Sequence, residues 1–414
     1  MRELKALEIA ARSKIVCKGA TWFVPSQSSG NKYRVVIEGD VSCECDDFQL
    51  RKLSCKHIMA CRLVLERDGG ETAQVVVSDE VPKKPTYKQN WPLYDLAQET
   101  EKNRFQELLF DLCSGIEEPE RPTNLRGRKP VPLADQIFAC AFKVFSTFSS
   151  RRFACDLAET HKKGFMSVPI AARCINGFME EEKLTPILEN LIVQSSLPLR
   201  TIETTFAPDS TGFSVSRFVR WFDEKYGETK SGRDWVKAHA MCGVKTNIVT
   251  AVQIEDRHTA DITQLPGLVK TTAENFTIKD VPADKAYLSH ENLELVHKNG
   301  GTAFIPFKCN SKENEPDSLW GKMYHFYNFK RDEFLKRYHQ RSNIETTFSM
   351  VKAKFRDNVR SRTDVSMKNE VLCKFLCHNV CVIHQSIIEL GIEGPFWENK
   401  PRKKSAVLKY PGVG

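Results

Sequence analysis

The sequence predicts a mixed α/β protein, and three observations carry that reading. Residues 197 to about 310 alternate β-rich stretches ("TTFAPDSTGFSVSRF", "DWVKAHAMCGVKTNIVTAVQIE", "GTAFIPFK") with two helical ones, "HTADITQLPGLVKTTAENF" and "SHENLELVHKNG". Strands separated by crossover helices build a sheet that helices cover. After residue 330 the chain is helical again, which supplies a terminal layer. From 133 to about 195 apolar residues recur at helical spacing in "LADQIFACAFKVFSTF", "ARCINGFMEEEKL" and "TPILENLIVQSS", which predicts a small helical domain.

Taken in order, residues 1–72 read as short strands, "ATWFVPSQ" and "KYRVVIEG", around a turn at Gly30, followed by the helix "CKHIMACRLVLER". Residues 73–125 form a connector, polar at first, then an amphipathic helix, "LYDLAQETEKNRFQELLFDLC", then a Pro- and charge-rich linker. The helical domain spans 126–196, the α/β domain 197–388, and a basic tail 389–414. A chain of 414 residues exceeds one ordinary core, so several domains are expected.

Composition narrows the class. A hydrophobic share of 41% beside 28% charged residues fits a soluble folded chain, and no run of 18 apolar residues predicts a membrane span. The start, "MRELKALEIAARSKIV", scatters charge through its apolar residues, unlike a secretory signal. Fourteen irregularly spaced cysteines point to a reducing, cytoplasmic setting, with some thiols available for metal. Net charge is +8, and residues 330–362 alone hold ten Lys or Arg against four acids, a one-signed excess that favours a polyanionic partner over a merely solvated face.

Inside that basic stretch, "YHQRSNIETTFSMVK" spaces Tyr338, Arg341, Glu345 and Lys352 by three, four and seven. At about 100° per residue, one continuous helix would hold all four within a band of roughly 60°. Two aspartates stand out upstream: Asp209, expected at the exit of a strand before "STGF", and Asp284, at a strand-to-helix transition before "KAYLS". An Asp in such a place is ordinarily a turn former or helix cap. Three carboxylates gathered at one sheet edge would instead offer hard oxygen donors for Mg²⁺ or Mn²⁺. Two such ions could activate water against a phosphodiester. Asp223, Asp256 and Asp261 compete as second carboxylates without a comparable setting.

The blocks "DSTG" at 209, "ADKAY" at 283 and Y-x2-R-x3-E-x6-K at 338–352 resemble the catalytic blocks of DDE transposases from prokaryotic insertion sequences, in the subgroup with a Tyr-Arg-Glu-Lys signature. The resemblance runs from about 125 to 385, through "GRKPVPLADQIFA", "FRDNVRSRT" and "NEVLCKFLCHN". It implies a ribonuclease H-like catalytic domain. Asp209, Asp284 and Glu345 would be the Mg²⁺ (or Mn²⁺) ligands, and Tyr338, Arg341 and Lys352 the holders of phosphates at the transposon end. It also implies cleavage at transposon ends, strand transfer into target DNA, a homodimer on double-stranded DNA and a nucleoid-associated location. End recognition would fall to the helical segment 126–196, helped by "RGRK" at 126–129. Ala286 and Leu288 depart from the family's usual Gly and acidic residue and bear on packing of the second block. The alternatives are a ribonuclease H-like nuclease without strand transfer and a transposase-derived, non-catalytic DNA-binding protein. Retention of all three acids argues against the second.

Near the start, Cys43-x-Cys45-x9-Cys55-x-His57 brings three thiols and an imidazole in two close pairs, which suits a closed tetrahedral Zn²⁺ site. The pattern resembles a SWIM-type zinc finger, C-x-C-x(n)-C-x-H behind a β-hairpin, and implies structural zinc. Cys61, one turn past His57, is expected to pack inward. Cys373, Cys377, Cys381 and His384 lie along one helix face and cannot converge on one ion, so core packing is the better reading. Trp221, Trp235 and Trp320 are read as core residues, though each could stack on an unpaired base.

Overall fold

The computed structural model describes residues 2–13, 15–26, 32–67, 90–119, 130–215, 235–255, 259–308, 311–312, 317–392 and 396–397. The turn at Gly30, the "RGRK" run, Trp221, Asp223, Asp256 and the basic tail beyond 397 lie outside the described residues. The chain divides into two compact units, Met1–Lys88 and Gln89–Gly414.

In the first unit, helix α1 (Arg2–Arg12) precedes strands β1 (Val16–Lys18), β2 (Thr21–Pro25), β3 (Lys32–Val36) and β4 (Ser42–Cys43), then helices α2 (Asp46–Arg51) and α3 (Lys56–Arg67). The strands pair antiparallel in chain order. Alternation along β2 sends Trp22 and Val24 inward, where they meet Ala6 and Ile9 of α1, Val35 of β3, and Ile58 and Cys61 of α3. Cys61 is thus in the core. Lys52 ends α2 in the left-handed region (φ 54°), its N–H bonded to Phe48 O, and this reversal returns the chain toward β4.

The second unit starts with α4 (Trp91–Cys113), α5 (Leu133–Ser146), α6 (Ser150–Lys162), α7 (Cys174–Met179) and α8 (Leu184–Ser196). A long antiparallel hairpin set follows: β5 (Phe206–Ser214), β6 (Trp235–Gly243) and β7 (Val249–Glu255). Next come α9 (Leu265–Ala273), β8 (Asp280–Pro282), α10 (His290–Lys298) and β9 (Thr302–Phe304), then α11 (Leu319–Phe329), α12 (Arg331–Tyr338), α13 (Ser342–Phe355) and α14 (Asp364–Leu390). Strands β8 and β9 pair in parallel, and a parallel bridge between Thr205 and Asp280 sets β8 beside β5. The strand order is therefore β7-β6-β5-β8-β9, with β5 in the middle.

Helices cover both faces. Ala207 and Phe213 of β5 point into one cluster with α5, α8, α13 and α14, while Phe206 points into the other with α9 and α10. The helices between 133 and 196 share the first cluster with the sheet rather than enclosing a core of their own. Their apolar faces pack on the sheet and α14. Helix α14 opens with a capping box at Thr363 and Ser366 and closes at Gly391 in the left-handed region. Among the described residues it is the one helix long and apolar enough to cross a membrane, yet most of it is buried within the unit. Its Phe375 meets Phe213 edge-on at 5.9 Å, and full burial of such a ring contributes about 2–3 kcal/mol.

Candidate catalytic centre and zinc site

Asp209 lies inside β5, opposite Ala240 of β6, and not at a strand exit. The small residues after it, "STG", continue the strand, with Gly212 passing close under Trp235. Trp235 is half exposed there, so its expected burial does not hold. Asp284 follows β8 and caps a short 3₁₀ turn (Lys285–Tyr287), its carboxylate accepting from Lys285 N. Ala286 is exposed in that turn, and Leu288 packs into the second cluster.

The four signature residues do not share one helix. Helix α12 ends at Tyr338, a 3₁₀ turn covers His339–Arg341, and α13 begins at Ser342. Ser342 Oγ donates to His339 O and Asn343 Nδ2 to Gln340 O, local bonds that compete with a continuous helix. The break rotates Tyr338 toward the second apolar cluster, where it is partly buried. Arg341 remains at the centre of the acids. Its Nη1 donates to Asp209 Oδ2 at 3.0 Å and its Nη2 to Glu345 Oε1 at 2.7 Å. Lys352 is half-buried, its Nζ 5.5 Å from the Phe213 ring centre.

Electrostatics tie Asp284 to the same place. Burial pushes the Asp209 carboxyl up, Ser210 N–H and Arg341 oppose this, and the charges of Asp284 and Glu345 add to it. Burial works against the Arg341 charge, but Asp209, Tyr338, Glu345 and Asp284 together carry its pKa above the ordinary value. Burial depresses Lys352. Oxygen donors of this kind suit a hard divalent cation. Even so, among the described residues the three carboxylates do not form a group whose ligand atoms all lie within 4.8 Å, and Arg341 stands between two of them.

Sequence reasoning missed the supports. Arg337, counted with the basic excess, donates to Asp280 Oδ2 at 2.5 Å and so pins α12 to β8. Lys354 likewise pairs with Glu101 of α4. Glu203, fully buried, accepts from the amides of Lys245 and Thr246 and fixes the β6–β7 turn. A side chain at Gly243 would collide with it. Asp261 is paired with Lys237 at 2.8 Å and approaches His239 at 3.5 Å. None of these pairings has a fixed spacing, so the sequence carries no signal for them.

In the first unit, Cys43, Cys45, Cys55 and His57 are all buried, with ligand atoms within 4.8 Å of one another. His57 Nδ1 lies 3.8 Å from Cys43 Sγ and 4.0 Å from Cys55 Sγ, and Tyr33 covers its ring at 4.7 Å. A bond from Cys43 pushes the Cys55 thiol well down and, reciprocally, holds the Cys43 thiol well up. Three sulfurs and one nitrogen turned inward on a dry centre fit tetrahedral zinc. Strand β4 supplies Cys43, the N-cap of α2 Cys45, and the start of α3 Cys55 and His57. By contrast, Cys373 and Cys377 of α14 are core residues, and His384 donates to Ala97 O at 2.9 Å.

Residues 201–380 match the family model for the transposase DDE domain, a span that contains Asp209, Asp284, Tyr338, Arg341, Glu345 and Lys352. Residues 33–60 match that of the SWIM zinc finger, with all four zinc ligands inside. No curated protein and no solved structure matches. The chain carries a transposase DDE domain preceded by a SWIM zinc finger, and a transposase domain makes DNA its partner.

Proposed function

We propose that the protein is a transposase that cuts DNA strands at the ends of its element and joins the freed 3′-hydroxyl to target DNA. The observation that carries this reading is the bridge from Arg341 to Asp209 and Glu345, with Asp284 in electrostatic reach. The strand order β7-β6-β5-β8-β9, three antiparallel strands followed by two parallel ones, supports a ribonuclease H-like catalytic domain.

Asp209, Asp284 and Glu345 would hold Mg²⁺ or Mn²⁺ through oxygen. Bound there, the ions supply Lewis-acid activation of water and charge neutralisation at phosphorus. Arg341 must release Glu345 for the carboxylates to converge, and its guanidinium is then free to take a phosphate oxygen of the DNA end. Lys352, partly desolvated beside Phe213, offers a second cation on the same side of α13. Tyr338, at the junction of α12 and the 3₁₀ turn, would lie beside the same DNA end. These contacts position DNA without reading sequence. The helices between 133 and 196 remain the candidates for end recognition. Joining two element ends calls for two chains on DNA.

Asp209→Asn tests the assignment. Cleavage of end-bearing duplex in Mg²⁺ should fall by about a thousandfold or more, while binding of the same duplex changes by less than about threefold, because phosphate contacts lie elsewhere. Equal loss of binding and cleavage would refute the role given to Asp209.

A further inference from the structure

A cavity of about 650 Å³ opens where the end of α13 and the start of α14 meet α5, α6 and α7. Five cations line it, Lys143, Arg356, Arg360, Arg362 and Lys374, against two carboxylates, Glu180 and Glu370. Glu370 is already engaged: it accepts the amides of Arg360 and Ser361 and lies 3.9 Å from Lys374. Lys143, Arg356 and Arg360 converge on the carbonyls of Thr147 and Phe148 at 2.5, 3.2 and 3.0 Å. Carbonyls satisfy these donors without neutralising them. The crowding is felt: besides burial, Arg360 lowers the Lys143 pKa, and Arg356 lowers that of Arg360. Among the described residues no ion pair engages Arg362, which is exposed.

The uncapped start of α6 adds to this field. Ser149 and Ser150 of α6, and Ser361 and Ser366 around the start of α14, line the cavity, and no side chain caps the first amides of α6. Helix N-termini beside clustered cations form an anion site.

The cavity also has a fixed relation to the catalytic acids. Glu345 and Arg356 mark the two ends of α13, about 16 Å apart at helical rise. Asp209 and Ser214, whose strand end bridges to Asn358 at the cavity wall, are about 17 Å apart along β5. For a duplex whose axis runs along them, both measures equal about five base pairs of rise.

We propose that this cavity is a second phosphate-binding site, which grips the backbone of the cleaved duplex about five base pairs along its axis from the broken bond. The inference rests on the DNA-cleaving reading above. The test uses the full chain and a fluorescent duplex of roughly 30 base pairs, followed by anisotropy from about 50 to about 300 mM KCl. Arg360→Gln/Arg362→Gln should weaken binding about tenfold or more at the low-salt end and reduce the slope of log K against log[KCl] by about 2. Arg362→Glu alone, at an exposed side chain without an ion pair, should weaken binding severalfold with an unchanged melting curve, so a misfolded double variant does not blur the result. A single methylphosphonate walked along both strands of the duplex should weaken the wild-type chain at a position about five base pairs from the cut, and leave the double variant insensitive there. Unchanged slopes in both variants overturn the proposal. So does saturation of the cavity by inorganic pyrophosphate that DNA fails to displace, which would mark a site for a small phosphorylated ligand. Absence of Mg²⁺-dependent cutting by the wild type, with the slope change intact, would overturn the catalytic reading and its ruler while leaving a DNA phosphate site.

Discussion

Arg341 ties together side chains that the sequence keeps far apart, and its two short bonds explain how β5 and α13 come into register. That residue was legible in advance through its spacing from Tyr338, Glu345 and Lys352. The turn at His339–Arg341 was not, because it depends on local bonds from Ser342 and Asn343 that no apolar periodicity betrays. Asp209 was legible as a candidate but misplaced along its strand, since "STG" after an aspartate reads as a turn until the partner strand β6 is known. A buried histidine contributes to acid sensitivity. His378 is buried in α14, with Nε2 bonded to Asn247 O at 2.9 Å, and burial holds its pKa at about 4. Its unfolded value is about 6.5, so between those limits the unfolded chain binds a proton that the folded chain refuses. The contribution is intact above about pH 6.5 and shrinks on acidification, reaching a loss of about 3 kcal/mol by about pH 4. Urea unfolding across this range should show the wild type losing more stability than His378→Asn; parallel pH profiles would count against the assignment.

At the scale of elements, α14 carries polar residues through an apolar centre by giving each a backbone partner. Asn379 donates to Ile192 O, Val249 O and Ser195 Oγ and accepts from Val249 N, which fastens α8 and β7 to one point. Replacement by Leu fills a similar volume but strands a buried amide and carbonyl. Asn379→Leu should therefore cost about 3 kcal/mol in denaturant unfolding, and a change below about 1 kcal/mol would mean that the site repacks. The helix itself was plain in the sequence, as was the inward packing of Cys373 and Cys377. The role of Asn379 was not, because its partners lie in two other elements and share no spacing with it.

At the scale of the molecule, the two units separate the zinc cluster from the carboxylates. The first unit is small, and its four ligands come from β4, α2 and α3, so metal binding and folding are coupled there. Cys55→Ala should abolish a stoichiometric zinc content measured by atomic emission. It should also melt the first unit, whose structural zinc is worth on the order of 10 kcal/mol, while the unfolding transition of the second unit stays in place. Loss of both transitions together would show that the units do not fold separately. The zinc ligands were readable because they sit within fifteen residues of sequence. The strand order was not, because β8 joins β5 through a short contact at Thr204, Thr205 and Asp280 that no local pattern announces.

The position of α14 has a consequence for synthesis. Its 27 residues pack against α4, α5, α8 and the sheet, yet they follow all of these in the chain. A growing polypeptide therefore exposes those apolar faces until α14 emerges, and contacts of such wide separation form slowly. Chains interrupted before residue 364 would carry all three acids and still lack the long helix against which α4, α5, α8 and the sheet pack.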